Sequence, residues 1–232
     1  MYKSLGILGG MGPLATCDLM EKIIRSTKAA RDQDNIHIYV DCNTNIPDRT
    51  AAILHGGTDP LPEMVKSAVR LQSMGADFLV MPCNTAHYFA ERIQTFVDIP
   101  LLHMPRETAK YLKEQGVRKA AVLATDGTIQ SGIYDDALQR EGIEPIRPDT
   151  QEQALVMSLI YDCVKAGKEC PFPEEVAALT RHLQERGAEM LILGCTELPI
   201  AFEQLKIAAP LADPTKILAQ AAVRFAGAEV AE

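Results

Sequence analysis

Short β-branched and leucine-rich runs alternate along the chain with longer stretches whose apolar positions fall three and four apart, the pattern of parallel strands joined by crossover helices. The short runs predict strands at 4–8, 37–41, 78–81, 101–103, 120–124, 190–193 and 210–212. The longer stretches predict helices at 62–74, 105–115, 129–140, 151–166 and 173–186. Several open on proline in the first turn and stop at a glycine, as at Gly75, Gly116, Gly142 and Gly187, the usual asymmetry of helix ends.

The same order of landmarks occurs twice. Gly75-Ala76-Asp77-Phe78-Leu79-Val80-Met81-Pro82-Cys83 aligns with Gly187-Ala188-Glu189-Met190-Leu191-Ile192-Leu193-Gly194-Cys195, 112 residues later. Each copy begins with a strand running into a turn of small residues, Leu5 to Pro13 in the first and Ala121 to Thr128 in the second, and each cysteine is followed by a proline-led segment, at Pro100 and at Pro210. A repeat of about 110 residues is a duplicated domain, too long for the unit of a solenoid. The expected fold is therefore α/β: two similar lobes, each a mostly parallel sheet flanked by helices, related by a pseudo-two-fold axis. The lobes are assigned as residues 1–103 with 209–232, and residues 104–208. Ligands of parallel sheets sit at the carboxyl ends of the strands, so the expected active site is a cleft between the two lobes.

Chemistry concentrates at those strand ends. Cys83 and Cys195 stand at equivalent places, each directly after an apolar strand, and each is followed by hydroxyl or amide residues, Asn84-Thr85 and Thr196-Glu197. Helices capped there would aim peptide N–H groups at the sulfur and lower its pKa. An unperturbed thiol is only about 3% thiolate at pH 7. Two thiols suit inversion at a stereocentre, one removing a proton and the other delivering one to the opposite face. Arg49 and Lys165 precede the cysteines by 34 and 30 residues and offer one cation per lobe, Arg49 from a proline-containing loop; a guanidinium fork binds both oxygens of a carboxylate.

Gly9-Gly10-Met11-Gly12-Pro13 matches neither the dinucleotide fingerprint nor a P-loop, but a proline-opened helix leaves N–H groups for an anion. Thr125, Gly127 and Thr128 form the corresponding second turn. His87, four residues after Cys83, is either a satisfied helix residue or a group that polarises the thiol. No histidine shows metal-ligand spacing with a cysteine or carboxylate, so no metal is expected.

Composition narrows the classes. Lys and Arg number 23 against 31 Asp and Glu, a net charge of −8, which disfavours nucleic-acid binding. Six cysteines without a Cys-x-x-Cys pair fit a reducing compartment, and the expected location is cytoplasmic. No apolar run reaches the roughly 18 residues that cross a bilayer, so no membrane association is expected. The segment from Ser4 to Cys17 has a leader-like ending, but Gly9 to Pro13 interrupts its apolar core, and it reads as mature structure.

Met81-Pro82-Cys83-Asn84-Thr85-Ala86-His87, Gly194-Cys195-Thr196-Glu197-Leu198-Pro199 and Leu8 to Thr16 together resemble the aspartate/glutamate racemase superfamily, within it the aspartate racemase branch. The likeness runs through nearly the whole chain. It implies a cofactor-independent, pyridoxal-phosphate-free racemase working by two bases, with Cys83 and Cys195 as the thiol/thiolate pair, and a homodimer. It further implies that Met11, Asn84, Thr85, Thr125, Thr128, Thr196 and Glu197 contact the amino-acid substrate, with Arg49 and Lys165 on its distal carboxylate. Related glutamate racemases usually carry histidine two residues after the second cysteine, where Glu197 stands here. Retention of both cysteines implies racemisation in both directions, of aspartate and possibly glutamate. The alternatives are a broad-specificity racemase, another superfamily enzyme such as a hydantoin racemase, maleate isomerase or arylmalonate decarboxylase, and a non-catalytic dicarboxylate-binding protein.

Overall fold

A computed structural model describes residues 2–231. The chain divides into two compact units, Met1–Glu107 with Thr215–Glu232, and Thr108–Pro214. The first contains β1 (Leu5–Gly9), α1 (Pro13–Ser26), a 3₁₀ turn at Asp32–Asp34, β2 (Ile38–Cys42), α2 (Arg49–Leu54), α3 (Leu61–Met74), β3 (Phe78–Val80), a 3₁₀ segment at Thr85–Phe89 and α4 (Ala90–Gln94), and leads into α5 (Met104–Glu114). The second contains β4 (Lys119–Leu123), α6 (Asp126–Ser131), α7 (Ile133–Arg140), β5 (Glu144–Ile146), α8 (Thr150–Ser158), a π-helix at Leu159–Val164, α9 (Pro173–Glu185), β6 (Met190–Leu193), α10 (Glu197–Gln204) and β7 (Leu211–Ala212), and leads into α11 (Pro214–Ala226).

Each unit has one sheet, ordered β2-β1-β3 in the first and β5-β4-β6-β7 in the second, and every strand pair is parallel. The internal repeat is thus a repeat of topology: the unit's first strand lies centrally, and the strand that precedes the cysteine flanks it. Parallel strands covered on both faces read as unbroken apolar runs, and β1 is buried at all five positions. Its side chains still alternate. Leu5 and Ile7 pack with Leu19 and Ile23 of α1 and Leu218 and Ala222 of α11. Leu8 joins Met64 and Leu71 of α3 on the other face. Each such aliphatic side chain withdrawn from water contributes about 1.5–3 kcal/mol.

Several elements differ from the sequence reading. The strand expected at 101–103 reduces to a single bridge, Leu79 to Leu101, whereas its counterpart β7 pairs with β6 through Leu191–Leu211 and Ile192–Ala212. That pairing commits residues 209–214 to the second unit, not to the first. The helix expected at 129–140 begins earlier, because Thr125 caps it, and breaks at Gly132, whose φ of 70° ends α6. The helix expected at 151–166 is α-helical only to Ser158 and then widens into the π-helix. Neither β5, an edge strand containing Pro145, nor α2 was signalled; Arg49, expected in a loop, opens α2.

The segment with leader-like features supplies β1 and the start of α1. No helix among the described residues is long and apolar enough to cross a membrane.

Gly10 marks the tightest point of this frame. Its φ is +92°, and a Cβ there would lie 2.4 Å from the Asn43 backbone. Gly227 has a similar φ of +87° with open space around it. In urea unfolding, Gly227→Ala should lose about 1 kcal/mol, the left-handed strain alone. Gly10→Ala should lose at least about 2 kcal/mol, strain plus backbone collision. Equal losses would refute this account of the turn.

Candidate active site

In the first unit, β1 ends at Gly9 and the chain turns through Gly10-Met11-Gly12 into α1, with Pro13 in its first turn. One hydroxyl clamps the turn: the Gly10 N–H donates to Thr16 Oγ1 at 2.9 Å, and that hydroxyl donates to the Gly12 carbonyl at 3.0 Å. Thr16 stands inside the Leu8–Thr16 motif, yet its clamping role was not apparent; the four-residue step from Gly12 was the available signal. Arg49 follows the N-cap Asp48, whose carboxylate accepts the Ala51 N–H at 2.7 Å. The Arg49 guanidinium donates to the Pro47 carbonyl at 3.0 Å and the Met11 carbonyl at 3.4 Å. It therefore ties the turn after β1 to the start of α2.

Cys83 follows β3 after Met81 and Pro82 and shares a buried apolar cluster with Met11 and Met81. Asn84 and Thr85 are buried at the start of the 3₁₀ segment. The Asn84 side chain does not cap that segment. His87 does not polarise the thiol by its Nδ1, which lies 2.8 Å from the Cys83 carbonyl. Its ring meets that of His103 edge-on, with centroids 4.9 Å apart. Burial pulls the His87 pKa down to about 4 and that of His103 to about 2, so both rings are neutral at pH 7. The neutral His87 ring donates from Nδ1, which fixes the carbonyl of the cysteine and not its sulfur.

In the second unit, the Thr125 hydroxyl caps α6 by accepting the Thr128 N–H at 3.4 Å, and the two threonine hydroxyls lie 3.2 Å apart. Gln153, for which no sequence signal exists, fixes this turn from α8. Its Nε2 donates to the Ala124 carbonyl at 3.0 Å and to the Asp126 carboxylate at 2.8 Å. Gly194 brings the end of β6 close to β4: its N–H donates to the Leu123 carbonyl at 2.7 Å, and an added Cβ would lie 3.1 Å from that oxygen and 3.3 Å from the Tyr134 ring.

Cys195 follows directly, and its thiol donates to Glu197 Oε2 at 2.9 Å. The Thr196 hydroxyl donates to the same oxygen at 3.1 Å. Lys165, just past the π-helix, places Nζ 3.7 Å from Glu197 Oε1 and 4.7 Å from the Tyr161 ring centroid. The expected lowering of the thiol pKa by capped helices does not hold for Cys195. Thr196 makes no side-chain cap on α10. Burial, and after it the Glu197 carboxylate, push the Cys195 thiol well up from its ordinary value, because both disfavour a second negative charge.

The structure thus gathers Met11, Arg49 and Cys83 in the first unit, and Cys195, Thr196, Glu197 and Lys165 in the second, with Thr125 and Thr128 paired in the turn after β4. Asp149, Glu152 and His182 also place ligand-type atoms within 4.8 Å of one another. Asp149 caps α8, however, and Glu152 is bound by His182 and Arg186, which makes the group a closed ion-pair network.

The family model described as Asp/Glu/Hydantoin racemase matches residues 8–222. The chain belongs to this family. Members of the Asp/Glu/hydantoin racemase family similar to it include the broad specificity amino-acid racemase RacX of Bacillus subtilis (strain 168), 33% identical over 94% of this chain and 96% of the relative. Among solved structures, the Picrophilus torridus aspartate racemase is 31% identical and superposes with a TM-score of 0.80, covering 99% of this chain and 96% of that one. The glutamate racemase of Francisella tularensis, solved with D-glutamate, shares the fold at 21% identity and a TM-score of 0.65, over 95% of this chain and 79% of that one. The coarse activity is that of an amino-acid racemase, an isomerase acting on a small molecule.

The neutral His87–His103 pair carries a stability prediction. The unfolded chain protonates histidine below its ordinary value of 6.5 while the folded rings resist, so stability is full above that pH and falls as pH drops toward 4. The urea midpoint should be lower at pH 5 than at pH 7. The gap should shrink in the His87→Gln/His103→Gln double variant, and an unchanged gap would count against buried neutral rings.

Proposed function

We propose that the protein interconverts the L and D forms of acidic amino acids, aspartate first and glutamate second, by two-base proton transfer between Cys83 and Cys195 at Cα. The observation that carries the reading is the equivalence of the two cysteines. Cys83 stands three residues beyond the end of β3 and Cys195 two beyond the end of β6, each strand flanking its unit's central strand, in a chain of the Asp/Glu/hydantoin racemase family.

In the proposed step one thiolate takes the α-proton. The C–H bond breaks, an S–H bond forms, and the electron pair moves onto Cα and its carboxylate. The other cysteine then breaks its S–H bond and delivers that proton to the opposite face, so charge and oxidation state are unchanged overall. Carbanion formation is the costly part, and donors aimed at the developing carboxylate charge lower it. The N–H groups of Met11 and Gly12 and the residues Asn84, Thr85, Thr125, Thr128 and Thr196 are the candidates for that task, the Gly10 N–H being taken by Thr16. Arg49 and Lys165 are assigned to the distal carboxylate. Neither step calls for pyridoxal phosphate or a metal. The assembly is proposed to be a homodimer, and its location cytoplasmic.

Incubation with L-aspartate in heavy water should give D-aspartate carrying deuterium at Cα. Cys83→Ala and Cys195→Ala should each cut the rate by at least about 10²–10⁴-fold. No D-isomer and no exchange across a panel of amino acids would overturn the reading. A second reading, racemisation of many amino acids, is supported by the likeness to the broad specificity enzyme. The same panel decides between them, since Arg49→Ala should raise KM for aspartate and glutamate about tenfold, the worth of roughly 1.4 kcal/mol, and leave alanine unaffected if Arg49 reads the distal carboxylate.

A further inference from the structure

The two cysteines hold equivalent places in sequence but not equivalent surroundings. In the first unit the nearest titratable ring, His87, is spent on the Cys83 backbone carbonyl. In the second, a carboxylate is bonded to the sulfur itself. We propose that Cys195 rests as the thiol, and that Glu197 is the positioning residue that keeps the proton there, accepting it in a 2.9 Å hydrogen bond.

Glu197 is held to that task from three sides. The Thr196 hydroxyl donates to the same oxygen at 3.1 Å, Lys165 stands 3.7 Å from the other oxygen, and the backbone of Glu197 is fixed as the first residue of α10. A thiol facing an anion keeps its proton, because ionisation would place two negative charges about one hydrogen-bond length apart where little water can screen them. Burial acts in the same direction and Lys165 in the opposite one. Tyr134, whose phenol is held neutral chiefly by burial, and Asp213, which acts on that phenol as Cys195 does, also bear on this side, as do Tyr161 beside Lys165 and Cys163 in the same buried cluster. None of these supplies a cation that would offset Glu197.

The consequence is an ordered start. The resting protein presents an acid on the Cys195 side, so delivery of a proton from that side needs no prior step. Abstraction from that side waits for Cys195 to lose its proton. In this respect Lys165 acts through Glu197 as well as offering charge to a substrate: by weakening the carboxylate's field it keeps the Cys195 proton removable.

The inference rests on the proposed role of Cys195 as an acid/base group, but its test needs no turnover. The full-length protein is alkylated with iodoacetamide across a pH series without substrate, and the rate at each cysteine is read by peptide mass spectrometry. In the wild-type protein Cys195 should react only at high pH. Glu197→Gln removes the anion and should raise the Cys195 rate at pH 8 about tenfold, one unit of midpoint. Lys165→Gln, at a side chain 39% exposed, should lower it several-fold. Cys83, read in the same samples, should not move. Opposite shifts at Cys195 support the proposal; an unmoved rate in either variant, or shifts of the same sign, overturn it. A protein that racemises nothing yet shows the opposite shifts refutes the two-base function alone, whereas one that racemises without them refutes this inference alone.

Discussion

Parallel pairing of the central strand is the constraint on which both units depend. With every strand running the same way, each chain segment leaves the sheet at the same edge and must turn there beside its neighbours. The backbones come so close at that edge that side chains have little room. Gly10 abuts Asn43, Gly194 abuts the end of β4, and single side chains, Thr16 and Gln153, satisfy the polar groups that the strands leave behind. Cys83 and Cys195 are placed by this crowding, since each follows a strand whose direction is set by parallel hydrogen bonding.

Most of this frame was legible in the sequence because its signals were local. Apolar runs without alternation gave the buried strands, glycines with positive φ gave the helix ends at Gly75, Gly116, Gly142 and Gly187, and the doubled Gly-Ala landmarks gave the repeat of topology. The misses were elements decided by partners distant in the chain. Whether 101–103 or 210–212 forms a strand depends on what the neighbouring strand offers, and the two equivalent segments came out differently. The break at Gly132 and the π-helix were hidden because an uninterrupted apolar period overrode a single glycine and cannot report a change of winding.

Among the residues expected at the site, equivalence along the chain was readable and local side-chain chemistry was not. The pairing of Cys83 with Cys195 followed from alignment of the chain with itself. That Glu197 would turn back onto Cys195, and that His87 would turn to a carbonyl, are side-chain choices made by packing. Caps were expected at Asn84 and Thr196 from residue type alone. The Thr196 hydroxyl found a charged acceptor instead, and a charged acceptor makes the stronger bond.

The wide winding at Leu159–Val164 bears on how this scaffold could vary. A π-turn accommodates one residue more than the α-helix it interrupts, and Lys165 lies directly beyond it. Deleting one residue within the segment would restore ordinary winding with the residues on either side keeping their faces, Lys165 still toward Tyr161 and Glu197. The wide turn is therefore a place where the scaffold can change its chain length without moving a charge or rebuilding a strand.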